Sequence, residues 1–303
     1  MNTSTFFTRI IIIIAGLSCL VWSGCRKLSS IGPNKGADTV KSNTVHVIPN
    51  YNSSDTELTS KGWSKVFEDN FDGDLSQWHA LTGGVQKELA CYQPANLKVS
   101  GGYLEISAKK ETVTGPAIVG EPATKSFDYT SGWMVSKTSI SANETTPVVR
   151  IVARLKAAPG YGLTSFLYTF GGNWPTNGEI DFLEIKGSDT NELLSDYQYG
   201  TVPLQDLVKN ALSTTVTDGD LSAAFHVYEF EWSQNSIKTY IDGELVETKT
   251  VGGYIPQLFG KTEYLSLSLP VGGLYYNNFM PEKVQTGTMV VDYVKIFTAK
   301  KSL

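Results

Sequence analysis

From Trp63 onward the chain is a succession of short apolar segments separated by Gly, Asn and Asp, and this spacing constrains the fold more than any other feature. A helix of useful length needs an apolar residue every three or four positions. Only Pro203 to Leu212 offers that, through Leu204, Leu207, Val208 and Ala211, and it is read as a short helix within a loop insertion. Two hairpins are legible. Leu97–Ser100 and Tyr103–Ser107 flank Gly101-Gly102, and Ile237–Ile241 and Glu244–Val246 flank Asp242-Gly243; both turns carry residues able to take the positive φ of a tight hairpin. The alternation of Met289 to Phe297 predicts a late strand that pairs near the start of the domain. With 303 residues, 41% hydrophobic and 11% aromatic, the chain can bury one large core, so the pattern predicts an all-β sandwich.

One of these strands carries an anomaly. Glu179-Ile180-Asp181-Phe182-Leu183-Glu184 places three carboxylates on a segment that otherwise reads as buried. Side chains alternate faces along a strand, so Glu179 and Asp181 share a face and Glu184, five residues from Glu179, points the other way. A β-bulge at Phe182 or Leu183 would return Glu184 to the face of Glu179, with about 13 Å of backbone between them. Two glutamates leaning together could then bring their carboxyls to roughly 5–6 Å, the separation used in retaining glycoside hydrolysis. The bland alternative is a solvated strand face paired with Lys186 or an arginine. Trp174-Pro175 just before the motif, an aromatic platform, and Gly178, where a ligand could approach the backbone closely, favour a sugar site.

The amino-terminal residues have a different character. Residues 1–24, with Arg9 ahead of an apolar run from Ile10 to Trp22, read as an export signal, and Val21-Trp22-Ser23-Gly24-Cys25 resembles a bacterial lipobox in which Cys25 would be lipidated. A membrane partner through that anchor and a place in the cell envelope, at the outer membrane, follow as expectations. Residues 25–62, rich in Ser, Thr, Asn, Gly and Lys, are expected to be a flexible tether to a domain over 63–300. Net charge is −5, and without the leader 24 basic stand against 30 acidic residues, which argues against a nucleic-acid partner. Cys91 is alone in the mature domain and is read as a core residue. His46, His79 and His226 lack metal-ligand spacing, so neither zinc nor a Cys-His nucleophile is expected.

Trp174-Pro-Thr-Asn-Gly-Glu-Ile-Asp-Phe-Leu-Glu184 resembles the active-site strand of family 16 glycoside hydrolases, in the bulged form common among laminarinases and β-glucanases. Further blocks resemble the same family in the same order: Phe67 to Gly73 with Trp78, Glu88 to Tyr92 with Asn96 and Gly102, Tyr129 to Lys137, Val149 to Lys156, His226 to Trp232, and Met289 to Val294. The resemblance covers nearly all of residues 63–298. It implies a concanavalin-like β-jelly-roll sandwich of two antiparallel sheets, with a polysaccharide groove across the concave one. It also implies Glu179 as nucleophile, Glu184 as acid and base, and Asp181 as the neighbour tuning their protonation. Glu88 falls where the family has a sugar-contacting acid.

Aromatic rings are natural partners for the apolar faces of sugars, which makes Trp174, Trp133, and Tyr275 with Tyr276 beside Gly272-Gly273 candidates for substrate contact. No cofactor is implied. A structural calcium remote from the groove is, with Asp292 at a ligand position, although Asn70 stands where the opening strand frequently has an acid. Departures concern the groove: Trp133 replaces a common arginine, Gln198 or Tyr199 a common histidine, and Gly162 to Tyr168 a Trp-rich stretch. The reading is a lipid-anchored, endo-acting, retaining hydrolase of β-1,3- or mixed-linked β-1,3-1,4-glucan. Alternatives are a galactan-directed hydrolase acting on agarose, porphyran or carrageenan, and a catalytically silent glycan-binding lipoprotein.

Overall fold

A computed structural model of the chain describes residues 44–300 other than 204–208, 211, 251–253, 274–275 and 277–278. Two sheets face each other across the core, and the expected jelly-roll sandwich is the architecture observed. The first sheet has ten strands among the described residues, in the order Glu244–Thr250, Ser236–Ile241, His226–Ser233, Val148–Lys156, Gly287–Ala299, Tyr103–Pro116, Thr124–Ser131 and Ala90–Tyr92, with Ser64–Asp69 and Leu97–Ser100 on its flanks. The second has eight, in the order Lys209–Asn210, Glu192–Tyr199, Glu179–Lys186, Thr164–Gly171, Glu263–Ser268, Trp133–Ile140 and Trp78–Ala80, with Ser213–Val216 also on Glu192–Tyr199. Pairing is antiparallel except between Ala90–Tyr92 and Thr124–Ser131.

Both hairpins form as their turn residues dictate, with positive φ at Gly101 and Gly102, and at Asp242 and Gly243. The late strand pairs with the opening strand, Val294 opposite Asp69 and Thr298 opposite Ser64. The helix expected over Pro203–Leu212 does not run through its second half. Lys209 and Asn210 satisfy their backbone groups on Tyr199 and Gln198 as a two-residue edge strand, and 204–208 and 211 lie outside the described residues.

The strand carrying the acids sorts its side chains by this layering. Ile180, Phe182, Leu183 and Ile185 enter the inter-sheet core, where Phe182 stacks on Phe230 at 4.8 Å. Two successive residues can point the same way only across a bulge. Opposite Thr164–Gly171 the register jumps between Asp181 and Leu183, leaving Phe182 unpaired. Each buried apolar side chain there contributes roughly 1.5–3 kcal/mol, more than the ladder hydrogen bond that the bulge forgoes.

The amino-terminal segment differs from expectation. The leader, Cys25 and residues 25–43 lie outside the described residues, but residues 44–62 are built onto the domain rather than forming a tether. Val45 bridges to Thr217, the Ile48 amide donates to Asp242 Oδ2 at 2.9 Å, and Arg154 Nε donates to the Tyr51 carbonyl at 2.9 Å. A short helix, Asp55–Ser60, then lays Leu58 with Trp63 over Val148, Val152, Val227 and Phe297 on the outer face of the ten-stranded sheet. Asp55 fixes it through Lys65 and Lys295, both at 2.8 Å. A polar composition concealed the few apolar residues that do the docking.

Candidate active site

Because of the bulge, Glu179, Asp181 and Glu184 all project from the outer face of the eight-stranded sheet. Each acid has an aromatic residue directly opposite on Thr164–Gly171: Glu179 faces Phe170, Asp181 faces Tyr168, and Glu184 faces Phe166. Those three rings stack along their own strand at 4.2 and 5.6 Å and belong to an apolar bed with Tyr92, Trp133, Val135 and Tyr264. On the other side lie Gln198, Asp196 and Leu194, in the same order. Three carboxyls therefore stand between an aromatic row and a strand that adds a fourth.

This setting controls their protons. Burial is the first cause for all three acids and raises each above the ordinary carboxylate range, since the charged form loses its hydration. Glu179 is pushed to about 7 and Glu184 to about 8. Asp181 is raised well above the usual range, by burial and then by the charges of Glu179, Glu184 and Asp196. A proton held by Asp181 can be shared with Glu179 and favours ionised Glu179, as does the Trp174 indole N–H, which donates to Glu179 Oε2 at 2.5 Å. Among the described residues Glu184 has no such donor, and the neighbouring charges of Asp196 and Glu179 help keep it protonated against the smaller opposing effect of Lys186. The arrangement can hold one carboxylate and one carboxylic acid side by side near neutral pH, which is what a nucleophile and a general acid require.

Trp174 is half-buried beside Glu179, on a loop whose Trp174-Pro175 bond is cis. Trp133 is not an open platform: it is 3% exposed, its indole N–H donates to Ser266 Oγ at 2.8 Å, and its ring meets Tyr92 edge-on. Glu88 shares that neighbourhood but is buried and accepts a 2.5 Å hydrogen bond from the Tyr92 hydroxyl, with burial pushing it to about 7. It also borders a depression of about 650 Å³ with Lys125, Phe127 and Tyr129 that does not contain the three acids. Tyr275 lies outside the described residues. Gly178 serves packing rather than a ligand: its φ is +82°, and a Cβ there would come within 2.3 Å of Leu258 Cδ2 and 3.1 Å of Glu263 Oε1.

Strand register supplies what the motif could not. Of the two residues considered for the histidine's position, Gln198 donates from Nε2 to Asp181 Oδ2 at 2.9 Å. Asp196 is buried opposite Asp181. Glu263, fully buried, accepts from Thr169 Oγ1 at 2.5 Å and is pushed to about 8 by burial, with the charge of Glu179 adding to the shift. Asp292 Oδ2 is engaged by Arg154 at 2.5 Å, and no group of three or more His, Cys, Asp or Glu suited to a metal occurs among the described residues.

Comparison with known proteins bears on this geometry. The family model described as Glycosyl hydrolases family 16 matches residues 90–295. A glucan endo-1,3-beta-glucosidase of Cryptopygus antarcticus is 27% identical over 259 residues, covering 78% of this chain and 92% of the relative. The clotting factor G alpha subunit of Tachypleus tridentatus is 25% identical over 248 residues; the match takes in 78% of this chain but spans about a third of that relative, 34%. Among solved structures, an endo-beta-1,3-glucanase from Pyrococcus furiosus is 28% identical with a TM-score of 0.64, covering 78% of this chain and 94% of that one.

The raised carboxyls make stability depend on pH. Below the ordinary carboxylate range these groups are protonated in folded and unfolded chains alike; above it the unfolded chain ionises while the folded one resists. The stability these buried carboxyls contribute is therefore fully present below the ordinary carboxylate range and is lost as pH rises through about 7 to 8. Glu263→Gln removes one such group, so its melting temperature should exceed the wild type's at pH 8 and equal it at pH 4; an equal difference at both values would contradict the assignment.

Proposed function

Since the chain belongs to glycosyl hydrolase family 16, we propose that this glycoside hydrolase is an endo-acting, retaining enzyme of β-1,3- or mixed-linked β-1,3-1,4-glucan, held at the cell envelope by a lipid on Cys25. The observation that carries the chemistry is the bulge at Phe182, which sets Glu179 and Glu184 on one face beside Trp174. The relatives whose printed names are glucanases support the substrate class.

The geometry suggests the following course. A glycan lies across the acids with a sugar against Trp174. The Glu179 carboxylate forms a bond to the anomeric carbon as the glycosidic C–O bond breaks, and Glu184 gives its proton to the departing oxygen. Glu184, now ionised, takes a proton from water as that water attacks the anomeric carbon and displaces Glu179. Asp181 supports both states by keeping a proton beside Glu179 and by its tie to Gln198. The aromatic row excludes water from the carboxyls and so maintains the two unequal protonation states.

Release of reducing ends from laminarin and from mixed-linkage glucan by the purified protein tests this reading. Glu184→Gln should lower kcat/KM by about 10²–10⁴-fold, and the wild-type profile should fall on the alkaline side as Glu184 deprotonates near 8. Absence of release from both polymers would refute the glucan assignment. For the anchor, mass spectrometry should find a mature chain beginning at acylated Cys25; a chain without acyl groups there removes it.

A further inference from the structure

Glu263 lies close to the acids but points the other way. Thr169 stands in register between Ile180 and Leu265, which face the inter-sheet core, and Glu263, two residues before Leu265, shares their side of the sheet. It is fully buried there. A carboxyl in a core is costly unless donors satisfy it. Thr169 Oγ1 donates to Oε2, whereas Oε1 has no hydrogen-bond partner among the described residues.

The open oxygen lies under the joint that carries the nucleophile. Gly178, where a Cβ would come 3.1 Å from Glu263 Oε1, is the residue before Glu179. Its amide donates to the Pro175 carbonyl and its carbonyl accepts from the Gly171 amide, so it links the Trp174 loop to the strand of acids. The neighbours on each element around the carboxyl, Ile140 and Gly171 in register, then Thr169, Gly178 and Leu258, carry no charge. The titratable group whose charge reaches it is Glu179. Protonated, Glu263 is neutral and suits this dry place; ionised, it sets a second negative charge behind Glu179.

We propose that Glu263 is a positioning residue for Glu179 that works in its protonated form, so that the enzyme needs a proton behind the nucleophile as well as the proton on Glu184. This rests on the glycan-hydrolase reading above. Neutral Glu263 fills the space under Gly178 and leaves Glu179 free to ionise. Loss of its proton opposes the charge on Glu179 and leaves a carboxylate with too few donors, which displaces Gly178 and the nucleophile attached to it. Burial, helped by the charge of Glu179, holds the Glu263 proton to about 8, as burial and neighbouring charge hold that of Glu184, so both losses fall on one limb of the pH profile.

The alkaline limb of kcat/KM on laminarin tests it. Wild type should fall with the slope of two protons, those of Glu184 and Glu263, and Glu263→Gln, neutral at every pH, with the slope of one. The ratio of the variant's kcat/KM to the wild type's should rise about ten-fold between pH 6 and pH 9, as for a group titrating near 8. Glu263→Leu, neutral and apolar, should show the same single-proton slope. A slope and ratio unchanged by both substitutions overturn the proposal. So does a wild-type fall accompanied by loss of near-ultraviolet circular dichroism, which a merely stabilising residue would give. A second readout needs no substrate: by carbon-13 NMR the Glu263 carboxyl should titrate at lower pH in Glu179→Gln, and indifference to that substitution also overturns the proposal. Absence of laminarin release by all three proteins, with that NMR shift present, counts against the glucan reading alone.

Discussion

The site depends on one unpaired residue in a β-ladder. Phe182 breaks the pairing with Thr164–Gly171 so that it and Leu183 both enter the core, and the parity of everything after them changes. Without that extra residue Glu184 would point inward among the core side chains that now surround Phe182 and Leu183, where an ionisable group is costly. The bulge is held by packing, chiefly by the stack of Phe182 on Phe230 from the other sheet. Chemistry on the outer face thus follows from an apolar contact inside the sandwich.

Electrostatics follow from the same register. An aromatic residue opposite each acid withdraws hydration, and a fourth carboxylate opposite Asp181 raises the cost of ionising the group further. The acids are distinguished by their donors: Glu179 has the Trp174 indole and the Asp181 carboxyl, whereas Glu184 has neither. Unequal hydrogen bonding distinguishes Glu179, whose charged form has donors, from Glu184, whose proton is held by burial and neighbouring charge.

The sequence revealed those features that depend on spacing along one strand. Parity showed that only a bulge, at Phe182 or Leu183, could bring Glu184 to the face of Glu179, and two-residue turns located both hairpins. Features that depend on which strands become neighbours were not legible. Asp196 sits in an unremarkable stretch until the register places it across from Asp181, and Trp133, an attractive sugar platform by type, is sealed between Tyr92 and Ser266. Gly178 read as an approach for ligand because its packing against Leu258 and Glu263 is non-local. Composition misled at residues 44–62, where Val47 and Leu58 are buried and help dock a segment that is otherwise polar.

The central claim is that the bulge sets two glutamates to act in succession on one anomeric carbon. Proton NMR of laminarin hydrolysis, recorded before mutarotation, reads this directly through the first anomer released. The account predicts the β-anomer, with net retention through a Glu179-linked intermediate. First release of the α-anomer would mean direct attack by water and would contradict the placement of Glu179 as nucleophile.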